Sequence, residues 1–399
     1  MSVQKFPFTG AGSRAFRGGL FLVLLLALGS ASAGPREQAK RIHDRLAGVA
    51  PDAATLDLMA TDILNGDPVA AAFRAMDNSA FYNVTLKNFA TPWTNRDQTV
   101  FAPLNDYSAT VIGMIRDDVD FRQVLYGDIL YIGSGVPPYS GSNNDHYEAL
   151  EQQGADLQTV LTATTQSSVT GLPPSATAGV MTTRAAARAF FYAGTNRAMY
   201  RFTMMNHLCR DLEQMQDNTR SHDRIRQDVT RSPGGDSRIY LNNCSGCHTG
   251  MDPLVQAFAY YDWQYDPVTD PAGDNGQLIY TPGTVRPKFL QNASNFEFGY
   301  VTPDDSWDNY WRTGPNSVLG WDSGLPGSGA GAKSMGQELA HSAAFAQCQV
   351  KKVFRAVCLR EPGNSADRAQ VAAMVTSFAA SGYRMKQVFA ESAAYCSGD

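Results

Sequence analysis

The sequence predicts a mainly α fold: a helical core, one loop-rich insert and a C-terminal helical bundle. Three observations carry this. Apolar residues recur at helical spacing near both ends, as in Ile42, Leu46 and Val49 and then Leu56, Met59, Ile63 and Leu64. A long Ala-, Met- and aromatic-rich stretch, 178–215, reads as mostly helical. Residues 262–333 are instead dense in Gly, Pro, Asp and Asn, which break helices and favour turns, so the region reads as extended and loop-rich with a few short strands.

Taken in order, 34–80 reads as two or three short amphipathic helices and 76–101, rich in Asn and Thr, as irregular chain. Helical patterns return at 105–115 and 147–163. Residues 120–131 form another apolar segment, while 133–144 and 164–177 read as loops. Turn-forming residues 231–236 lead into a cysteine motif. Beyond the insert, 334–358 reads as a strong helix ended by Glu361-Pro362-Gly363. Ser365 is the expected cap of a helix to about Ala380, and 383–394 forms the last one. The expected division is a leader at 1–33, a helical region at 34–230, a motif-bearing segment with its insert at 231–333, and a helical domain at 334–399.

The first 33 residues read as a Sec-type export signal. Lys5, Arg14 and Arg17 precede the apolar run Phe21–Leu28, and Ala31-Ser32-Ala33 supplies small residues for cleavage after Ala33. The run is well short of the ~20 residues a spanning helix needs. An uncleaved anchor is the alternative. No later segment is apolar enough to span, so the mature chain is expected to lack a transmembrane segment and to be periplasmic or secreted. The net charge of -5, without a basic run, argues against nucleic-acid binding.

Cys244-Ser245-Gly246-Cys247-His248 carries the chemistry. Two thiols three positions apart, followed at once by His, suit thioether bonds to two vinyl groups of one haem, with the imidazole turned toward the iron. The helical core is therefore expected to be a c-type cytochrome core with one covalent haem c, held by Cys244 and Cys247, with His248 the proximal iron ligand. A zinc site would need a second ligand pair, and no other Cys-x-x-Cys occurs. A thioredoxin-like motif would follow a strand in a βαβ unit, which the surroundings do not resemble. The second nitrogen of His248 needs an acceptor, and the carbonyls near Met251-Asp252-Pro253 are the expected ones.

For the distal ligand the first choice is Met335, just beyond the glycine-rich stretch 324–331, although helix-start packing explains it as well. His341 is the second choice. Arg231, Arg238 and Arg312 are candidates for pairing with haem propionates. In an oxidising compartment Cys209, Cys348, Cys358 and Cys396 suggest two disulfides. Cys358 with Cys396, and so Cys209 with Cys348, is the favoured connectivity of the three possible.

The continuation Cys244 to Leu254, through Met251-Asp252-Pro253, resembles the haem segment of planctomycete-type cytochrome c proteins, multi-domain families of unknown function. Ala178–Thr182, Asn196–Tyr200 and Leu208-Cys209 are similar to the preceding domain of those families. Phe345–Cys348 and Ser381–Tyr383 are similar to their C-terminal helical domain. Val255-Gln256 and an expanded 262–333 depart from their pattern. The resemblance implies a haem-bearing exported protein and supplies no reaction.

One haem, with no hydrolase or dinucleotide motif beside it, leads to an electron-transfer protein working with an unidentified redox partner or as a subunit of a larger system. A haem enzyme of peroxidase or oxygenase type, with an open sixth iron position, is the alternative. A partner-binding module with a structural haem is the third reading.

Overall fold

The computed structural model describes residues 33–398, so the expected leader lies outside them except for Ala33. Helices α1 (Pro35–Ala47), α2 (Ala53–Leu64) and α3 (Pro68–Met76) pack on one another. Their ends follow local chemistry. Pro35 and Pro68 sit in first turns, where a missing N–H costs nothing. The Asp52 and Asp67 carboxylates accept from Thr55 N at 2.8 Å and Ala70 N at 2.9 Å. Gly48, at φ 73°, closes α1 in the left-handed conformation.

The stretch expected to be irregular, 76–101, is largely helical. A π-helical segment, Phe81–Leu86, runs into α4 (Lys87–Ala90) and a 3₁₀ turn, Thr91–Thr94. Phe81, Tyr82, Leu86, Ala90 and Trp93 recur every few residues and are buried, and this burial overrides the poor helix propensity of the Asn and Thr between them. The Asn105–Ser108 capping box opens α5 (Asp106–Arg116), buried from Asp106 to Ile115.

The other expected helices are broken where caps intervene. Residues 147–163 divide into α6 (Asp145–Gln152), α7 (Leu157–Val160) and a strand, β2 (Leu161–Thr164), which pairs antiparallel with β1 (Leu130–Gly133). A short α8 (Gln166–Thr170) interrupts the loop expected at 164–177. The 178–215 stretch becomes α9 (Arg184–Phe190) and α10 (Arg197–Thr203), flanked by tighter and wider turns. It breaks where Gly194 and Asn196 take φ of 77° and 62°. After α11 (Ser237–Ile239) and the π-helical turn Tyr240–Cys244 comes α12 (Ser245–Val255).

The insert holds two antiparallel hairpins: β3 (Tyr261–Gln264) with β4 (Gln277–Tyr280), and β5 (Ser306–Asp308) with β6 (Ser328–Ala330). The helix expected at 334–358 is two, α13 (Gly331–Ala340) and α14 (Ala343–Cys358), because Ser342 leaves the helix to cap α14 through Phe345 N. Asn364, not Ser365, caps α15 (Ser365–Ala380), its side chain accepting from Asp367 N at 2.8 Å. The last helix is α16 (Met385–Tyr395).

At 55% helix and 7% strand the protein is mainly α. One hydrophobic cluster runs from Ala39 to Cys396. Helix α14 lies against α15 and α16, and α16 packs on α1 and α3, so the chain's two described ends share a core. Disulfides join Cys209 to Cys348 and Cys358 to Cys396, tying the chain beyond α10 to α14 and the end of α14 to the end of α16. Among the described residues no helix is long and apolar enough to cross a membrane.

Candidate haem-attachment site

Helix α12 is held on its buried sides and leaves one face for a ligand. Ser245 Oγ donates to Asn218 Oδ1 at 2.8 Å, Thr249 Oγ1 donates to the Asp217 carbonyl at 2.9 Å, and Asp217 N donates to the Gly246 carbonyl at 2.8 Å. The glycines make this closeness possible. A Cβ on Gly250 would stand 2.0 Å from Trp311 Nε1, and one on Gly246 would stand 2.9 Å from Asn218 Oδ1. Cys244 at the N-cap, with Cys247 and His248 one turn on, share a helical face and are half-buried. Just before them Ile239 and Leu241 are 42% and 50% exposed, an apolar approach to the same segment.

His248 is pinned from behind. Its Nδ1 lies 3.1 Å from both carboxylate oxygens of Asp252, one helical turn later, so Nε2 is the nitrogen left for a metal. The Asp252 side chain is 0% exposed and sits in a buried quartet of charges. Arg197 Nε donates to Asp252 Oδ1 at 2.8 Å and Nη2 to Oδ2 at 3.0 Å. The same guanidinium donates to Asp228 at 2.7 and 2.9 Å. Arg226 completes the set, its Nε 3.5 Å from Asp228. Burial pushes the Asp252 carboxyl up, but Arg197, then His248 and Arg226, more than offset it and hold the group well below the carboxylate range. Burial pulls the Arg197 guanidinium down, and Asp252 and Asp228 more than offset that.

Four observations bear on what this face can hold. Cys244 and Cys247 are unbridged, whereas the other four cysteines are paired. Among the described residues no three His, Cys, Asp or Glu side chains converge as a protein metal site requires, which disfavours zinc. Burial, then Glu213 and Asp211, push the Cys247 thiol up, the opposite of a redox nucleophile's requirement. The motif also follows a π-helical turn and not a strand, and every sheet is a two-stranded antiparallel pair, so the thioredoxin-like setting is absent from the described residues. Two free thiols and an imidazole on one helical face, with the second imidazole nitrogen bound to protein, fit covalent haem.

The other sequence candidates scatter. Met335 is fully buried in α13, which packs against the turns Phe121–Leu125 and Gln256–Phe258. His341 ends α13, with Nδ1 2.8 Å from the Gln337 carbonyl and its ring stacked on Tyr126. Arg312 is bound to Glu338 at 2.7 and 2.8 Å, and Arg238 pairs with Asp236 on the surface. Arg231 reaches the motif's neighbourhood through Tyr240. It is sandwiched between the Phe296 and Tyr240 rings, and Tyr240 packs with Cys244. Among the aromatic residues, Trp311 is seated against Gly250 of α12, and its carbonyl accepts from Trp321 Nε1 at 2.8 Å.

Sequence reasoning placed the partner of His248 among backbone carbonyls, whereas the structure supplies the Asp252 carboxylate. The available signal was spacing, since positions 248 and 252 lie one turn apart on a helix. No family model, no curated protein and no solved structure matches the chain.

Proposed function

We propose that this chain is an exported monohaem c-type cytochrome that transfers electrons as a partner or subunit of a larger redox system, related to the planctomycete-type cytochrome c proteins. One observation carries the reading. Four cysteines are spent in disulfides, and the two left as thiols are those of Cys-x-x-Cys-His. Cys244 and Cys247 would form the thioethers, His248 would bind iron through Nε2, and Asp252 would fix the ring. The bound group supplies one-electron chemistry at iron. The chain's own residues would anchor it and set the ring's orientation, while Trp311 and the 216–218 segment hold α12 from its buried sides. The two disulfides accord with an oxidising compartment.

The test is expression in a host with c-type maturation, followed by acid–acetone extraction and voltammetry. Haem that stays with the polypeptide, and a reversible one-electron wave, are expected. Haem released entirely into the solvent would overturn the attachment. A high-spin ferric protein that reacts rapidly with peroxide would overturn the electron-transfer assignment.

A further inference from the structure

Resting on the haem reading above, we infer that Asp252 is a positioning residue that sets the redox poise of the centre, holding it at low potential through its bond to His248. The geometry is specific. Both carboxylate oxygens lie 3.1 Å from His248 Nδ1, and the side chain is 0% exposed, so water does not compete for the bond. Arg197 grips the same carboxylate at 2.8 and 3.0 Å and fixes its position. An anionic acceptor draws the Nδ1 proton and makes the opposite nitrogen a stronger donor. A stronger donor stabilises ferric over ferrous iron and lowers the potential. A neutral carbonyl in the same place would polarise the ring less. The quartet Arg197, Asp228, Arg226 and Asp252 has two charges of each sign, so the bond itself, more than a net local charge, is what reaches the iron.

Two variants separate these effects, with covalent haem content measured on each. In Asp252→Asn the amide oxygen still accepts but the charge is gone. Its midpoint potential is expected to rise by at least a tenfold change in the reduction equilibrium, ~59 mV for one electron. This variant leaves Arg197 with Asp228 alone and gives the quartet an excess positive charge, which by itself raises the potential. The double variant Asp252→Asn with Arg197→Gln removes one charge of each sign and leaves Asp228 paired with Arg226. Its potential is also expected to rise, because the carboxylate bond is still missing. Potentials equal to wild type in the double variant, with covalent haem retained, would overturn the inference and leave the haem reading intact. A wild-type protein without covalent haem would overturn the haem reading itself.

Discussion

Asp228 offers a measurable handle on the buried charges behind α12. It accepts two bonds from Arg197, at 2.7 and 2.9 Å, and lies 3.5 Å from Arg226. Its side chain is only 7% exposed, and it does not touch His248. In Asp228→Asn the amide keeps one acceptor, Arg197 keeps Asp252, and Arg226 keeps the nearby Asp252 charge. The full ~3–5 kcal/mol for stranding a buried charge is therefore not incurred. A lost charged hydrogen bond is worth ~1.5–3 kcal/mol, and about 2–3 kcal/mol is expected here. With ~2.1 cal/mol/K per residue, the unfolding entropy of a chain this long is about 0.8 kcal/mol/K, so Tm should fall by about 3 °C. The effect should also depend on pH. Burial pushes the Asp228 carboxyl up, but Arg197 and Arg226 more than offset this and hold it below its ordinary value. A depressed carboxyl contributes stability above the unfolded pKa of about 3.9, and that stability is lost as pH falls through the folded value. The gap between wild type and variant should be full near pH 7 and shrink below about pH 4. Scanning calorimetry of both proteins across this range is the assay. No loss of Tm at pH 7, or a gap that widens on acidification, would refute the assigned role of the quartet.

Further outcomes follow from the same packing. Gly250→Ala places a methyl 2.0 Å from the buried Trp311 ring, an overpacking expected to cost ~1–3 kcal/mol. Urea denaturation would show it, and an unchanged midpoint would mean the Trp311 ring is not seated on α12. Replacing Cys358 and Cys396 together by Ala opens a loop spanning 38 residues and should cost about 2–4 kcal/mol without loss of covalent haem. If that variant lost its haem, the disulfide would be coupled to the haem site and not to the C-terminal helices alone.

Much of the helical content was legible because local signals and tertiary demands agree. The three N-terminal helices follow their apolar spacing, and α15 ends at Ala380 as its pattern indicates. The failures arise where side chains compete with simple periodicity. Ser342 splits one apolar run by capping α14, and Asn364 outcompetes Ser365 because it stands where its oxygen reaches Asp367 N. The 81–94 segment folds as helix because its aromatic residues are buried against the C-terminal helices, as in the edge contact of Phe81 with Phe389, a pairing far apart in sequence. At the site, the three motif residues share one face as their spacing implies. Arg197 and Asp228 were not legible as partners of Asp252, since only the folded chain brings positions 197, 228 and 252 together.

The central claim is that Cys244 and Cys247 carry one haem and His248 binds its iron. Intact mass and a pyridine haemochrome spectrum of the matured protein test it most directly, beside Cys244→Ala with Cys247→Ala. One covalently bound haem per chain in the native protein, and none in the double variant, is the expected result. A native protein with no covalent haem, or a double variant that keeps it, would contradict the account.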